Sequence, residues 1–293
     1  MAPAPLPYRD ARSIALRSSV GTAEVVSTRI EGPGPERFLL LHGNPGSMLD
    51  LAPLFEPLAA LGEVVAYDAP GFGRSPPPAA QIEISAEQAV SMLDHLGWSD
   101  AVLVGHSHGG GVAQRVARRF PGRVRALVLL GTLGAPTQLS YRLLPLPGVQ
   151  AVLTAAGRLL PTLPRPIGRR LVRFFMDPNY LPSRATDEEV EDELELLRAQ
   201  PHVLPHMAQL TEGSPCLLLE RDAPEIEAPT LFLHGEHDSI VPPRFAERIH
   251  ERMRAAGRRS RFVRIERGGH MLAARDPGRC VEAIRELLRD AER

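Results

Sequence analysis

The sequence contains no lysine, so all 34 of its basic residues are arginine. That excludes any mechanism that needs a lysine amine and any phosphate loop that ends in lysine. Cysteine is also scarce. Cys216 and Cys280 cannot make a disulfide framework, and although a single bridge stays open, reduced core thiols fit a cytoplasmic protein better. Charge of one sign is not in excess: 34 basic against 35 acidic residues leave a formal net charge of −1. No global field therefore draws in nucleic acid or an anionic membrane surface. Long apolar runs are missing as well. The charge-free apolar stretch 143–157 is broken by Pro145, Pro147 and Gln150 and falls short of the ~20 residues that span a bilayer. The first residues lack the basic start and apolar stretch of a signal peptide. The expectation is a cytoplasmic chain with no stable membrane insertion and no nucleic-acid partner.

What is present is length and hydrophobic content. The chain has 293 residues, 43% of them hydrophobic, against a prior of about 150 residues for one domain. Either two domains or one large unit with an insertion fits. From residue 37 onward, short apolar runs bounded by Gly, Pro or Asp alternate with helical patterns: 38–41, 64–67, 101–104, 124–130 and 230–233. Runs that are apolar almost throughout belong to strands buried on both faces, hence to a parallel sheet covered by helices. Helix spacing is found at 48–61, at 85–96 with a Ser85/Gln88 capping box, and at 110–120. Residues 13–30 read as an antiparallel pair turning at Gly21, and 244–256, 261–265 and 277–288 read helix, strand, helix. The fold class is α/β, a doubly wound, mostly parallel eight-stranded sheet.

Residues 135–226 break this rhythm, holding 12 of the 29 prolines and no strand-like run. Short helices are expected at 143–160, 167–175 and 186–197, the last opened by a Thr186/Glu189 capping box and strongly acidic, as a solvated face would be. This predicts a core of 1–134 and 227–293 carrying a helical insertion at 135–226.

The strongest local feature is Ala101-Val-Leu-Val-Gly-His-Ser-His-Gly-Gly110, a buried-strand pattern running into Gly105-x-Ser107-x-Gly109 and then a helix. A serine between such glycines occupies a sharp strand-to-helix turn that pushes its Oγ out at the strand's carboxyl end. The helix start aims amide N–H groups, and the positive end of its dipole, at developing negative charge. A serine nucleophile needs a base, and the base an orienting acid. Strand 230–233 runs into His234-Gly-Glu-His-Asp238, and strand 261–265 into Glu266-Arg-Gly-Gly-His270. Asp238 and His270 thus sit beyond strand ends on the edge that carries Ser107, in the chain order this geometry takes.

Five motifs in order, His42-Gly-Asn-Pro45, Asp68-Ala-Pro-Gly-Phe-Gly-Arg-Ser75, Gly105-His-Ser-His-Gly109, Gly235-Glu-His-Asp238 and Gly269-His270, resemble those of the α/β-hydrolase fold superfamily, specifically its capped, serine esterase- and lipase-like group. The resemblance covers nearly the whole chain. It implies that 135–226 is a cap, or lid, and that the backbone N–H groups of Asn44 and His108 form an oxyanion hole. His-Gly-Asn-Pro also suits haloalkane dehalogenases, and related epoxide hydrolases share the cap. Those enzymes have aspartate where this chain has Ser107, and dehalogenases follow it with tryptophan where this chain has His108. Halide release and epoxide opening are therefore disfavoured.

The reading is a serine hydrolase that cleaves a carboxylic ester or related acyl bond of a small, mostly apolar substrate through Ser107, His270 and Asp238. Phe174, Phe175, Met176 and Met207 are candidates for its pocket, among other apolar residues of the insertion. A carbon–carbon hydrolase or perhydrolase with the same triad stays open, as does a receptor-like protein with little turnover. For the His108 side chain, bonding a substrate and merely filling space are equally open. No cofactor is implied. Histidines crowd the strand-end loops, but none of these pairs has the H-E-x-x-H spacing, and no metal is implied. Among the arginines of 244–267, Phe245 and Phe262 sit at core-type positions, so the stretch reads as a solvated helix and strand edge. Substrate identity and oligomeric state are not legible.

Overall fold

The structure, a computed structural model, describes residues 6–133, 146–204, 206 and 215–291. Eight strands form one sheet: β1 (Arg12–Ser18), β2 (Gly21–Ile30), β3 (Glu36–Leu41), β4 (Gly62–Tyr67), β5 (Ala101–His106), β6 (Val124–Leu130), β7 (Thr230–Gly235) and β8 (Ser260–Ile265). Their order is β1-β2-β4-β3-β5-β6-β7-β8. The β1–β2 and β2–β4 pairs are antiparallel and the others parallel.

Side chains alternate across a strand, so each apolar run feeds two layers. Phe38 and Leu40 of β3, Val102 and Val104 of β5, and Val128 and Leu130 of β6 lie in one cluster with Leu51, Leu58, Ile284 and Leu287. Leu39 and Leu41, Leu103, Leu127 and Leu129 point the other way and pack with Met92, Leu93, Val116 and Ile249. The second layer uses α1 (Ile82–Leu96), α2 (His108–Arg119) and, later in the chain, the helix Pro243–Ala255. Helix α1 starts a turn earlier than its sequence suggests, with Gln81 as N-cap. Burial of Ile82 in this layer adds that turn, and Ser85 instead donates its hydroxyl to the Ala80 carbonyl. The expected helix at 48–61 is a 3-10 turn, Met48–Leu54, that contains Pro53, followed by the α-turn Phe55–Ala59. A proline without an N–H cannot continue a regular α ladder.

Between β6 and β7 the described chain is helical: α3 (Pro147–Leu159), α4 (Arg165–Met176), a 3-10 turn Asp177–Tyr180, α5 (Asp187–Ala199) and α6 (Pro215–Asp222). The Thr186/Glu189 capping box is present at the start of α5. Its acidic face is not simply solvated, because Asp187, Glu191 and Glu195 pair with Arg165, Arg169 and Arg173 of α4. This insert has its own apolar cluster, Val172, Tyr180, Val190, Leu194 and Leu197, closed at the sheet side by Phe72. Helices α7 (Pro243–Ala255), α8 (Leu272–Arg275) and α9 (Pro277–Ala291) complete the chain. No helix among the described residues is long and apolar enough to cross a membrane.

Candidate active site

The chain runs from β3 to β4 on one side, then crosses to β5 on the other side of β3. At such a reversal the loops leaving neighbouring strands diverge to opposite faces and open a crevice at their carboxyl ends. The loops that begin at His42 and Ser107 meet here. A Cβ added to Gly43 would lie 3.3 Å from the Ser107 Cβ.

Ser107 joins β5 to α2 with φ 50° and ψ −114°, a left-handed backbone that is rare for a serine. The turn is held by Ser107 N–H donating to the Leu130 carbonyl (2.9 Å) and by the Gly110 and Gly111 N–H groups donating to the Ser107 carbonyl. Its flanking glycines are sterically required. A Cβ on Gly105 would lie 2.5 Å from the Gly109 carbonyl oxygen, and one on Gly109 would lie 2.1 Å from that of Leu41. As the first residue of α2, His108 has an amide N–H without an intrahelical acceptor.

Asp238 and His270 are brought into direct contact. Asp238 Oδ1 accepts the backbone N–H groups of Ile240 (3.0 Å) and Val241 (2.8 Å), and Oδ2 accepts His270 Nδ1–H at 2.8 Å. His234 Nε2–H donates to the Val241 carbonyl (2.6 Å) and lies 3.3 Å from the same Oδ2. Burial alone would raise the Asp238 pKa, but the His270 and His234 rings and their hydrogen bonds hold the carboxyl well below the usual carboxylate range. An ionised Asp238 only accepts, so Nδ1 of His270 carries the proton and Nε2 is the basic nitrogen.

His270 reaches the Ser107 turn through two neighbours. The His106 ring lies 4.7 Å from the His270 ring, and its Nε2–H donates to the His270 carbonyl at 3.1 Å. Leu130, which accepts the Ser107 N–H, precedes Gly131, and a Cβ on Gly131 would lie 3.1 Å from His270 Nδ1. Burial, with His270 beside it, pushes His106 down to about 3, and burial pushes His108 down to about 4. Both rings are neutral near pH 7. His42 is buried and its pKa is lowered; its Nε2 accepts the Ala69 N–H and its Nδ1–H donates to the Gly43 carbonyl, so it braces the loop.

Asn44 and His108 line one small cavity of about 30 Å³, together with His42, Gly43, Phe72 and Gly109. That is room for about one water molecule. Phe174 and Phe175 do not line it. They are 73% and 71% exposed on α4, because the face of this helix that turns inward carries Gly168 and Val172. Met176 packs against the apolar cluster of the insert. Met207 lies outside the described residues, as do Leu143 and Leu144 among the other apolar candidates. Sequence reasoning placed His234 among the strand-end histidines and missed its contact with Asp238. The signal was its place in a strand end four residues before the acid. Among the described residues, no group of three or more His, Cys, Asp or Glu side chains could hold a metal ion.

A family model described as the alpha/beta hydrolase fold matches residues 36–277. The chain belongs to the alpha/beta hydrolase fold family. This α/β hydrolase is similar to a thermophilic esterase from Thermogutta terrifontis, with a TM-score of 0.77 and 26% identity over 96% of this chain and 99% of that one. Two curated relatives come from Pseudomonas putida. The dihydrolipoyllysine-residue acetyltransferase component of its acetoin cleaving system is 26% identical over 251 residues, 82% of this chain and 60% of that protein. Its 2-hydroxymuconate semialdehyde hydrolase is 33% identical over 192 residues, 61% of each chain. The α/β hydrolase thus spans about three fifths of the length of these two relatives.

Proposed function

We propose that this α/β hydrolase is a serine esterase acting on a carboxylic ester or related acyl bond. Ser107 Oγ attacks the acyl carbonyl as His270 Nε2 takes its proton. Asp238 fixes the imidazole tautomer and stabilises the charged ring. The N–H groups of Asn44 and His108 receive the oxyanion, each contributing on the order of 3 kcal/mol to barrier lowering. His270 returns the proton to the leaving alcohol, then activates the water that releases the acid.

The observation that carries this reading is the saturated Asp238 carboxylate, whose side-chain partners among the described residues are two histidines, with His270 held by Nδ1 and its other nitrogen left as base. A structural ion pair would have no need of a neighbouring serine held at φ 50°. The likeness to the Thermogutta terrifontis esterase points the same way. In this reading the β6–β7 insert is a cap that excludes water and shapes the substrate pocket.

A fluorophosphonate probe tests the nucleophile: wild type is labelled and Ser107→Ala is not. Absence of Ser107-dependent labelling overturns the proposal. A series of p-nitrophenyl esters of rising chain length then reads the acyl preference. Labelling without turnover of any ester in the series would overturn the ester assignment and favour carbon–carbon bond hydrolysis.

A further inference from the structure

The insert and the two loops that carry Asp238 and His270 are joined by backbone as well as by apolar contact. After α4 the chain makes the turn Asp177–Tyr180 and continues through Leu181. Three successive parts of this segment grip the sheet-edge loops. The Pro178 carbonyl accepts the hydroxyl of Ser239, the residue after Asp238, at 3.1 Å. The Asn179 carbonyl accepts two N–H groups, those of His270 (3.0 Å) and Met271 (3.1 Å). The Leu181 carbonyl oxygen lies only 2.0 Å from where a Cβ on Gly269 would sit. Gly269 lies outside the left-handed region, so its backbone accepts any residue and only this contact demands a glycine.

The side chain of Asn179 determines where its own carbonyl points. Its Nδ2 donates to the Phe175 carbonyl (2.9 Å) and the Met176 carbonyl (3.2 Å), closing the exposed end of α4. Next in the chain, Tyr180 is buried, with the Arg275 guanidinium 4.3 Å from its ring centre, and Arg275 is bonded twice to Glu189 of α5. The turn is therefore stiff on its own account. On the opposite side, His106 donates to the His270 carbonyl. The backbone of His270 is clamped between a core histidine and a carbonyl of the insert.

We infer that residues 177–181 of the insert are a strap that sets the position of the His270 imidazole, with Asn179 as its positioning residue. The inference rests on the Ser107–His270–Asp238 reading for its effect on rate, although the clamp itself does not. Asn179 touches neither substrate nor reacting atoms and acts only through the His270 backbone. Because the strap continues directly from α4, displacement of that helix moves the Asn179 carbonyl and tilts the imidazole. The insert then governs the base as well as the access route.

Steady-state kinetics on a short ester, p-nitrophenyl acetate, test the strap. Gly269→Ala is expected to lower kcat about 10- to 100-fold with little change in KM, because misplacing a reacting group by about 1 Å costs on that scale. Asn179→Ala should lose roughly 3- to 10-fold in kcat, and Ser239→Ala at most about 3-fold. Arg169→Ala, which removes exposed ion pairs of α4 and leaves in place both the strap and the buried Val172 face that seats the helix, should leave kcat unchanged. A second readout is independent of turnover: the downfield NMR signal of the His270 Nδ1 proton, identified by its absence in His270→Gln, should shift or broaden in Gly269→Ala and not in Arg169→Ala.

Wild-type kcat and an unmoved proton signal in Gly269→Ala overturn the inference. If Gly269→Ala does not fold, Asn179→Ala against Arg169→Ala decides, and equal kcat values overturn it. If fluorophosphonate fails to label wild type, the serine reading falls, while the proton signal still judges the strap.

Discussion

The sheet edge and the insert solve the same problem, holding charged groups in place, by opposite means. At the sheet edge the Asp238 charge is buried and both of its oxygens have partners, through four contacts. In the insert, α4 and α5 are joined by arginine–carboxylate pairs that face solvent. Such surface pairs are worth about 0–1 kcal/mol each, whereas removing one partner of a buried pair costs about 3–5 kcal/mol. One region is built for fixed geometry and the other for yielding without collapse. In the proposed reading, a site that must position a proton to within a fraction of an ångström is carried by the first, with the strap 177–181 as the part of the insert that shares its fixed geometry.

Substitutions can break this contrast. The largest expected effect is at Ser107→Ala, which should lower kcat by about 10⁴-fold or more while leaving the melting temperature near wild type. A residual rate within 10-fold of wild type would remove the sheet edge from the chemistry. Asp238→Asn should cost about 10³- to 10⁴-fold in kcat, because an amide NH₂ set against His270 Nδ1–H favours the wrong tautomer. In the insert, Leu194→Ala deletes a buried side chain at a cost of about 2–4 kcal/mol. Hydrogen exchange should then show α4 and α5 losing protection while β3, β5 and β6 keep theirs. Equal loss everywhere would mean that the insert and the sheet unfold as one unit.

The smallest effect is on pH, and its sign should differ between Asp238 and the neighbouring carboxyls Asp50 and Glu193. Burial, with the Glu193 charge near it, pushes Asp50 up to about 7, and burial pushes Glu193 up to about 7. A carboxyl raised in the folded state contributes stability that is complete below about pH 4 and lost as pH rises through 7. Asp238 is depressed, so its contribution is present above about pH 4 and lost only in acid. Between pH 5 and 8 the melting temperature should fall by a few degrees, about 1 kcal/mol, and Glu193→Gln should flatten the fall. A curve unchanged by Glu193→Gln would exclude this pair as its source.

Much of the sheet was legible because burial on both faces leaves little choice of residue, and runs such as Ala101–Val104 cannot be anything but apolar. The placement of Ser107, Asp238 and His270 just past strand ends was legible for a related reason: glycine-flanked polar residues there are conspicuous. Helix ends were less so. Ser85 has the chemistry of a cap, but the burial of Ile82 decided where α1 begins. Phe174 and Phe175 misled because an apolar side chain looks the same whether it lines a pocket or faces water. The grip of Asn179 on His270 is made by a carbonyl, which every residue possesses, so no side-chain pattern announces it.

The position of the insert also bears on how the chain is made. Strand β6 pairs with β7 through Leu127–Leu130 against Thr230–Leu233, yet about 100 residues separate the two strands. During synthesis at roughly 5–20 residues per second, the β6 edge waits several seconds for its partner. That edge is nearly all apolar, Ala126-Leu-Val-Leu-Leu130, and a bare strand of this kind templates aggregation. A nascent chain halted inside the insert would display this edge, and chaperone engagement should peak there and drop once β7 has emerged.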